Sequence, residues 1–228
     1  MLLDSQMRHH KLPDTELVNV ALFPIPNIVA FPGTVVPLHV FEPRYRQLVH
    51  DCVEDNRMIG VCHTIKTIHE PAKTQSIEQA LSSNQATYKP QQIFSAGDCE
   101  IVKTTDDGRI IASITMRERL LLVEEIQSLP YRIVSCQSLT DELDGPVAET
   151  AETLQYSINN RLIELLSTQN AELVREFQDP EWLALPPADF SFRLFQYLKF
   201  DADVMQEILE LRSAHARLDL IWAILKQT

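Results

Sequence analysis

The sequence predicts an α+β fold in which a small β-barrel is followed by a C-terminal helical bundle. Three observations carry that expectation. Up to residue 137 the apolar residues come in short, β-branched runs separated by Pro, Gly and Asp-Gly breaks, the pattern of short strands. Beyond Asp144-Gly145-Pro146 the apolar spacing switches to three or four residues, the helical period. The charge changes at nearly the same place: residues 138–210 hold fifteen acids and four bases, and the rest of the chain holds 17 acids and 16 bases.

The first element is organised by proline. Residues 20–45, VALFPIPNIVAFPGTVVPLHVFEPRY, contain five prolines and no Lys. Val20, Leu22 and Phe23 begin a strand that Pro24 and Pro26 stop, because proline has no N–H for a central ladder and fixes φ. Ile28, Val29 and Phe31 form a second apolar patch, and Pro32-Gly33 is a turn signal. Val35 to Phe41 reads as a buried strand. Glu42-Pro43 marks a helix entry with proline at the first helical position. The helix runs from Arg44 to about Glu54, with Tyr45, Leu48, Val49 and Cys52 on its apolar face and Asp55-Asn56 at its end.

Met58 to Thr64 reads as a strand, with Gly60 at a bulge or a close backbone approach. Residues 66–92 are polar and rich in Gln, Ser and Thr, as expected of a surface insertion, with a short helix at 77–81. Asp98 to Thr104 is a strand, Asp106-Asp107-Gly108 a hairpin turn, and Arg109–Arg117 a half-buried strand. In that strand Ile110, Ala112, Ile114 and Met116 share one face, and Ile111, Ser113, Thr115 and Arg117 the other. Leu120–Ile126 and Tyr131–Cys136 follow as two further strands around Leu129-Pro130. Short strands at this spacing suggest a closed or nearly closed barrel without exposed edges. Leu154, Ile158, Leu162 and Leu165 then form a helical stripe. Ala171–Phe177 is a second helix, and Phe190, Leu194 and Leu198 mark a third. Asp203 caps a fourth, with Val204, Ile208 and Leu211, and Ser213 caps a last one with Leu218, Ile221, Trp222 and Leu225. The expected organisation is a flexible arm at 1–16, a barrel subdomain at 17–137 with the insertion at about 66–92, and an acidic helical subdomain at 146–228.

At 228 residues, 45% hydrophobic and 23% charged, the composition is that of an ordinary soluble globular protein. No apolar run approaches the roughly 20 residues of a membrane span, and the N-terminus lacks a signal-peptide core. A cytoplasmic protein with no membrane partner is expected. A net charge of −12 without a basic stripe argues against a nucleic-acid partner.

Two stretches carry a family likeness. LFPIPNIVAFPGTVVPLHVFEPRYRQLV (22–49) resembles the opening of the amino-terminal, substrate-binding domain of Lon proteases, and looks most like the stand-alone bacterial proteins made of that domain alone. ADFSFRLFQYLKFDADVMQEILELRSAHARLDLI (188–221) resembles the C-terminal helical part of those proteins. With the strands between them, the likeness covers most of residues 17–226 apart from the 66–92 insertion. It implies a PUA-like small β-barrel followed by helices. It also implies a non-catalytic binding module for unfolded or exposed apolar polypeptide segments, in protein quality control. The partners would be client polypeptides, with self-association left open. Phe31, Phe41, Arg44, Tyr45 and Arg117 are the candidate binding residues. The plain alternative for each is structural: core aromatics, Arg44 paired with Glu42, Arg117 at a strand end.

None of the five glycines opens a GxxxxGK[ST] loop, and no segment resembles the Ser-Lys peptidase, so the sequence ends about where Lon's catalytic modules would begin. Cys52, Cys62, Cys99 and Cys136 could act as nucleophiles in a small-molecule hydrolase only with a base such as His39, His50 or His63 close by. Their apolar surroundings predict inert, reduced thiols instead. A metal site would have to join His9 and His10 to His63 and His69 without compact ligand spacing, so no metal or cofactor is expected. RNA or modified-nucleotide binding, which PUA-like barrels also host, is the other alternative.

Overall fold

The computed structural model describes residues 16–67, 88–142, 150–168 and 170–227. Most of the expected arm and insertion, the helix at 77–81 and the Asp144-Gly145-Pro146 boundary lie outside the described residues. The elements in order are β1 (Val18–Pro24), β2 (Val35–Val40), α1 (Pro43–Asp55), β3 (Ile59–Cys62), β4 (Thr64–Thr67), β5 (Tyr88–Pro90), β6 (Ile93–Thr104), β7 (Ile110–Gln127) and β8 (Ile133–Ser138). Then come α2 (Ala151–Leu166), α3 (Ala171–Phe177), α4 (Pro180–Leu183), α5 (Pro187–Arg193) with a 3-10 turn at Leu194–Gln196, α6 (Ala202–Glu210) and α7 (Ala214–Leu225). The fold is α+β.

Six strands form one mixed sheet in the order β2-β7-β6-β3-β1-β8, and β8 pairs again with β7. The order returns on itself, so the sheet is barrel-like, with β2 outside the ring. β1 and β3 run parallel; the other pairings are antiparallel. β4 and β5 make a separate two-stranded ribbon that carries the insertion.

Local chemistry explains the elements. Pro43 opens α1 behind Glu42, and Asn56, at φ 53°, closes it in the left-handed region where Asn is tolerated. Gly60 is the expected close approach: a Cβ there would lie 2.4 Å from the Phe94 ring. Gly108 takes φ +77° in the hairpin turn, its N–H 2.8 Å from the Thr105 carbonyl.

Three expectations need correction. Val35–Phe41 is not a buried strand and the barrel is not free of edges: β2 ends the sheet, paired with β7 alone, and Val35 and Phe41 are exposed. Residues 109–117 and 120–126 are not two strands but one, β7, eighteen residues long. No turn residue separates them. Instead β7 bulges where Met116 pairs with Gly97 and Glu118 with Ala96, bending to serve β6 and then β8. The cap of α6 is also displaced: Asp201 holds the extended N-cap backbone, and Asp203 stands in the first turn, where a carboxylate still favours the helix dipole. Ser213 caps α7 as expected, its Oγ accepting from Ala216 N–H at 3.0 Å.

The proline loop between β1 and β2 joins two cores by simple alternation. Ile28 and Ala30 pack into the barrel interior with Leu48, Val49, Ile114 and Met116. Val29 and Phe31 point the other way, into the helical core of Leu154, Ile158, Phe190, Leu218 and Ile221. The Phe31 ring stacks on Phe195 with centroids 3.9 Å apart and planes 11° apart.

Candidate functional site

The five sequence-selected residues occupy different surroundings. Phe31 is 1% exposed, inside the helical core. Tyr45 is buried in the barrel, stacked on Phe23 at 4.3 Å. Arg44, also buried, donates from Nε to Glu42 at 3.1 Å and lies 4.5 Å over the Tyr45 ring. Arg117 is on the barrel surface, paired with Asp98. Phe41 is 63% exposed at the end of β2. The fold thus brings Arg44 and Tyr45 together and sets Phe31 apart from them.

The surface around Phe41 belongs to an edge strand. Met116 N–H donates to the Thr34 carbonyl at 2.9 Å. Counting along the register from there, Val36, Leu38 and Val40 share the ladder with β7, and Val35, Pro37 and His39 turn their backbone groups away from it. Proline at an outward position removes no ladder bond. On the outer face Val35, Phe41 and Ile111 are exposed.

A concavity lies elsewhere, within the helical part. It measures about 560 Å³ and is walled by Ile163, Phe177, Leu185 and Phe190, with Tyr156 and Leu183 at its lining. Tyr156 and Leu183 are exposed at 69% and 53%. Asn159 fixes the floor, its Nδ2 donating to the Phe177 carbonyl at 3.0 Å and its Oδ1 accepting from Trp182 Nε1 at 2.9 Å. Glu152, Gln155, Asn160 and Gln178 supply polar atoms. Beside it, sharing Leu185, is a more polar recess of about 380 Å³ lined by Glu176, Asp179, Glu181, Arg193 and Tyr197.

A buried ionic cluster, absent from the sequence reading, ties the two cores. Arg217 of α7 is fully buried and grips Asp141 with both Nη atoms, at 2.8 and 2.6 Å. Arg119 of β7 holds the same carboxylate and donates to the carbonyls of Leu209 and Leu211, both at 2.7 Å. Phe192 lies under both guanidiniums, at 5.0 and 4.1 Å. Burial pushes Arg119 down to about 10, which leaves it protonated at neutral pH. Burial alone would raise the Asp141 carboxyl, but the hydrogen bonds and charges of Arg217 and Arg119 outweigh it and hold it below the usual value.

The cysteines are chemically quiet. Burial pushes Cys52, Cys62 and Cys136 up to about 12, and Cys99 up to about 11. The thiolate is the nucleophile, so at pH 7.5 almost none is present. Native protein treated with iodoacetamide at that pH is expected to stay unlabelled at Cys52, Cys62 and Cys136, and all four thiols are expected to react once guanidinium unfolds the chain; mass spectrometry reads both. Rapid labelling of one thiol in the native state would reopen the hydrolase alternative.

The model of the ATP-dependent protease La (LON) substrate-binding domain matches residues 19–227. The chain belongs to the Lon substrate-binding domain family. Lon protease 1 of Herpetosiphon aurantiacus is 24% identical over 215 residues, which are 87% of this chain and 24% of that protein. The chain therefore spans about a quarter of that relative's length. Two solved structures share the fold. One is the Lon N-terminal domain protein from Xanthomonas campestris (TM-score 0.58, 18% identity, covering 90% of this chain and 98% of that one). The other is the N-terminal domain of Mycobacterium avium complex Lon protease (TM-score 0.61, 11% identity, 92% and 98%). Among the described residues no group of three or more His, Cys, Asp or Glu could hold a metal ion, and no helix is long and apolar enough to cross a membrane.

Proposed function

We propose that this chain is a non-catalytic recognition module that binds unfolded or exposed apolar segments of other polypeptides, in the cytoplasm, as part of protein quality control. The observation that carries the reading is the family match, a substrate-binding domain, over residues 19–227. Support comes from the exposed apolar residues Val35, Phe41 and Ile111 beside an edge strand, where an extended client could add main-chain hydrogen bonds. Of the five candidate residues, Phe41 and Arg117 are assigned to client contact, Arg44 and Tyr45 to support within the barrel, and Phe31 to the helical core. In this reading the barrel subdomain (17–137) and the acidic helical subdomain (146–228) each contribute contact surface.

The test is a titration of the purified protein with a permanently unfolded, fluorescently labelled model client, followed by anisotropy. Saturable binding in the micromolar range or tighter is expected for the unfolded client, and none for the same client folded. Absence of binding at high micromolar concentration, with the circular dichroism of the folded protein intact, would overturn the reading. The net charge of −12 disfavours RNA as the partner, because phosphate binding draws on clustered cations.

A further inference from the structure

We propose that the helical part contains a two-part client site that selects polypeptide segments carrying large apolar side chains beside Lys or Arg. The apolar cavity would take the hydrophobic side chains and the adjoining recess the cations. This rests on the polypeptide-binding reading above and adds to it a place and a sequence preference.

The first support is size and lining. About 560 Å³ is within the roughly 300–1,000 Å³ of ordinary ligand clefts. Its walls are aromatic and aliphatic, and Tyr156 and Leu183 remain largely exposed while Phe177 and Phe190 are buried and Ile163 and Leu185 partly buried. Tyr156 falls off the stripe of Leu154, Ile158 and Leu162 that fills the helical core, so core packing gives no reason for an aromatic there.

The second support is charge complementarity. Glu152 lies at the cavity, and the recess that shares Leu185 with it is lined by Glu176, Asp179 and Glu181 against one cation, Arg193; Glu176 accepts from the Tyr197 hydroxyl, and the acids still outnumber the base. The surrounding stretch, 138–210, carries fifteen acids against four bases. Such a field repels acidic chains and draws basic ones. Edge contacts along β2 read the main chain and would accept any extended segment. This cavity reads side chains, so the preference is its own.

The test uses the full chain and three short unstructured peptides read by fluorescence anisotropy: one with phenylalanines flanked by lysines, one with the lysines changed to glutamates, and one with the phenylalanines changed to serines. The Phe/Lys peptide is expected to bind at least about tenfold tighter than either other, and to weaken as salt rises. Tyr156→Ala and Leu183→Asp, both at exposed positions, are expected to weaken it at least about tenfold, as hot-spot losses do, with unchanged melting curves. Glu181→Lys should weaken the Phe/Lys peptide and strengthen the Phe/Glu peptide, since it reverses one charge of the recess. If Phe/Glu binds as well as Phe/Lys, or if neither Tyr156→Ala nor Leu183→Asp matters while the unfolded client still binds, the site assignment fails and the polypeptide reading stands. If no unfolded client binds at all, both fail. A Tyr156-dependent dimer in sedimentation velocity would show that a second copy covers the cavity and would overturn the proposal.

Discussion

Replacing Phe31 with alanine is expected to lower stability by about 3–5 kcal/mol, the range for truncating a buried aromatic. The ring is 1% exposed, stacked on Phe195 at 3.9 Å and tilted against Phe192 at 6.2 Å. Its loss removes the transfer energy of the side chain and leaves a void at the seam where the proline loop enters the helical core. The flanking backbone cannot collapse easily to fill it. Pro32 fixes one side, and Gly33 N–H is tied to the Met116 carbonyl at 2.9 Å. At about 2–4 °C per kcal/mol for a chain of this size, the melting temperature should fall by roughly 6–20 °C, with a matching drop in the urea midpoint. Phe41→Ala is the control. Phe41 is 63% exposed, and an exposed truncation should stay within about 0.5 kcal/mol. Equal, small effects at the two positions would contradict the alternation by which Ile28 and Ala30 serve the barrel and Val29 and Phe31 the helices.

That alternation shows what the sequence makes legible. A period of two placed Ile110, Ala112, Ile114 and Met116 on the buried face of β7, and all four are at most 1% exposed. A period of 3.6 placed Leu154, Ile158 and Leu162 together, and they are buried together. Periodicity reports one element against one core. It does not report which core a loop residue enters, so Phe31 reads equally as core or contact. Nor does it survive a bulge. The sequence draws attention to Arg117 on the outer face of its strand and passes over Arg119, which the fold buries. The register shift near Gly97 changes the strand's phase, so Arg119 and Leu120 are both buried. Arg217 was illegible for a different reason. A charged residue next to an apolar stripe reads as solvated, and its partners Asp141 and Ser191 are 76 and 26 positions away. The cavity in the helical part depends on how four elements meet, which no local pattern encodes.

The ionic cluster makes the other large prediction. Asp141→Asn is expected to cost about 3–5 kcal/mol, because it leaves two buried guanidiniums facing one another without their shared counter-charge. Ser191 Oγ, which accepts from Arg217 Nε at 2.8 Å, and the carbonyls of Leu209 and Leu211 satisfy hydrogen bonds but carry no compensating charge. Arg217→Leu should cost less than Asp141→Asn, since Arg119 remains to pair the carboxylate. Combining the two substitutions should cost less than their sum, because residues in one network are coupled. The same cluster sets an acid limit. A carboxyl held below its ordinary value in the folded state contributes stability that is fully present above the unfolded value of about 3.9 and is lost as pH falls through the folded one. Urea midpoints measured from pH 6 downward should therefore decline below about pH 4 in the parent protein, and Asp141→Asn, already destabilised, should decline less steeply there. Parallel acid profiles for the two proteins would mean that Asp141 is not a group whose protonation loosens the join between barrel and helices.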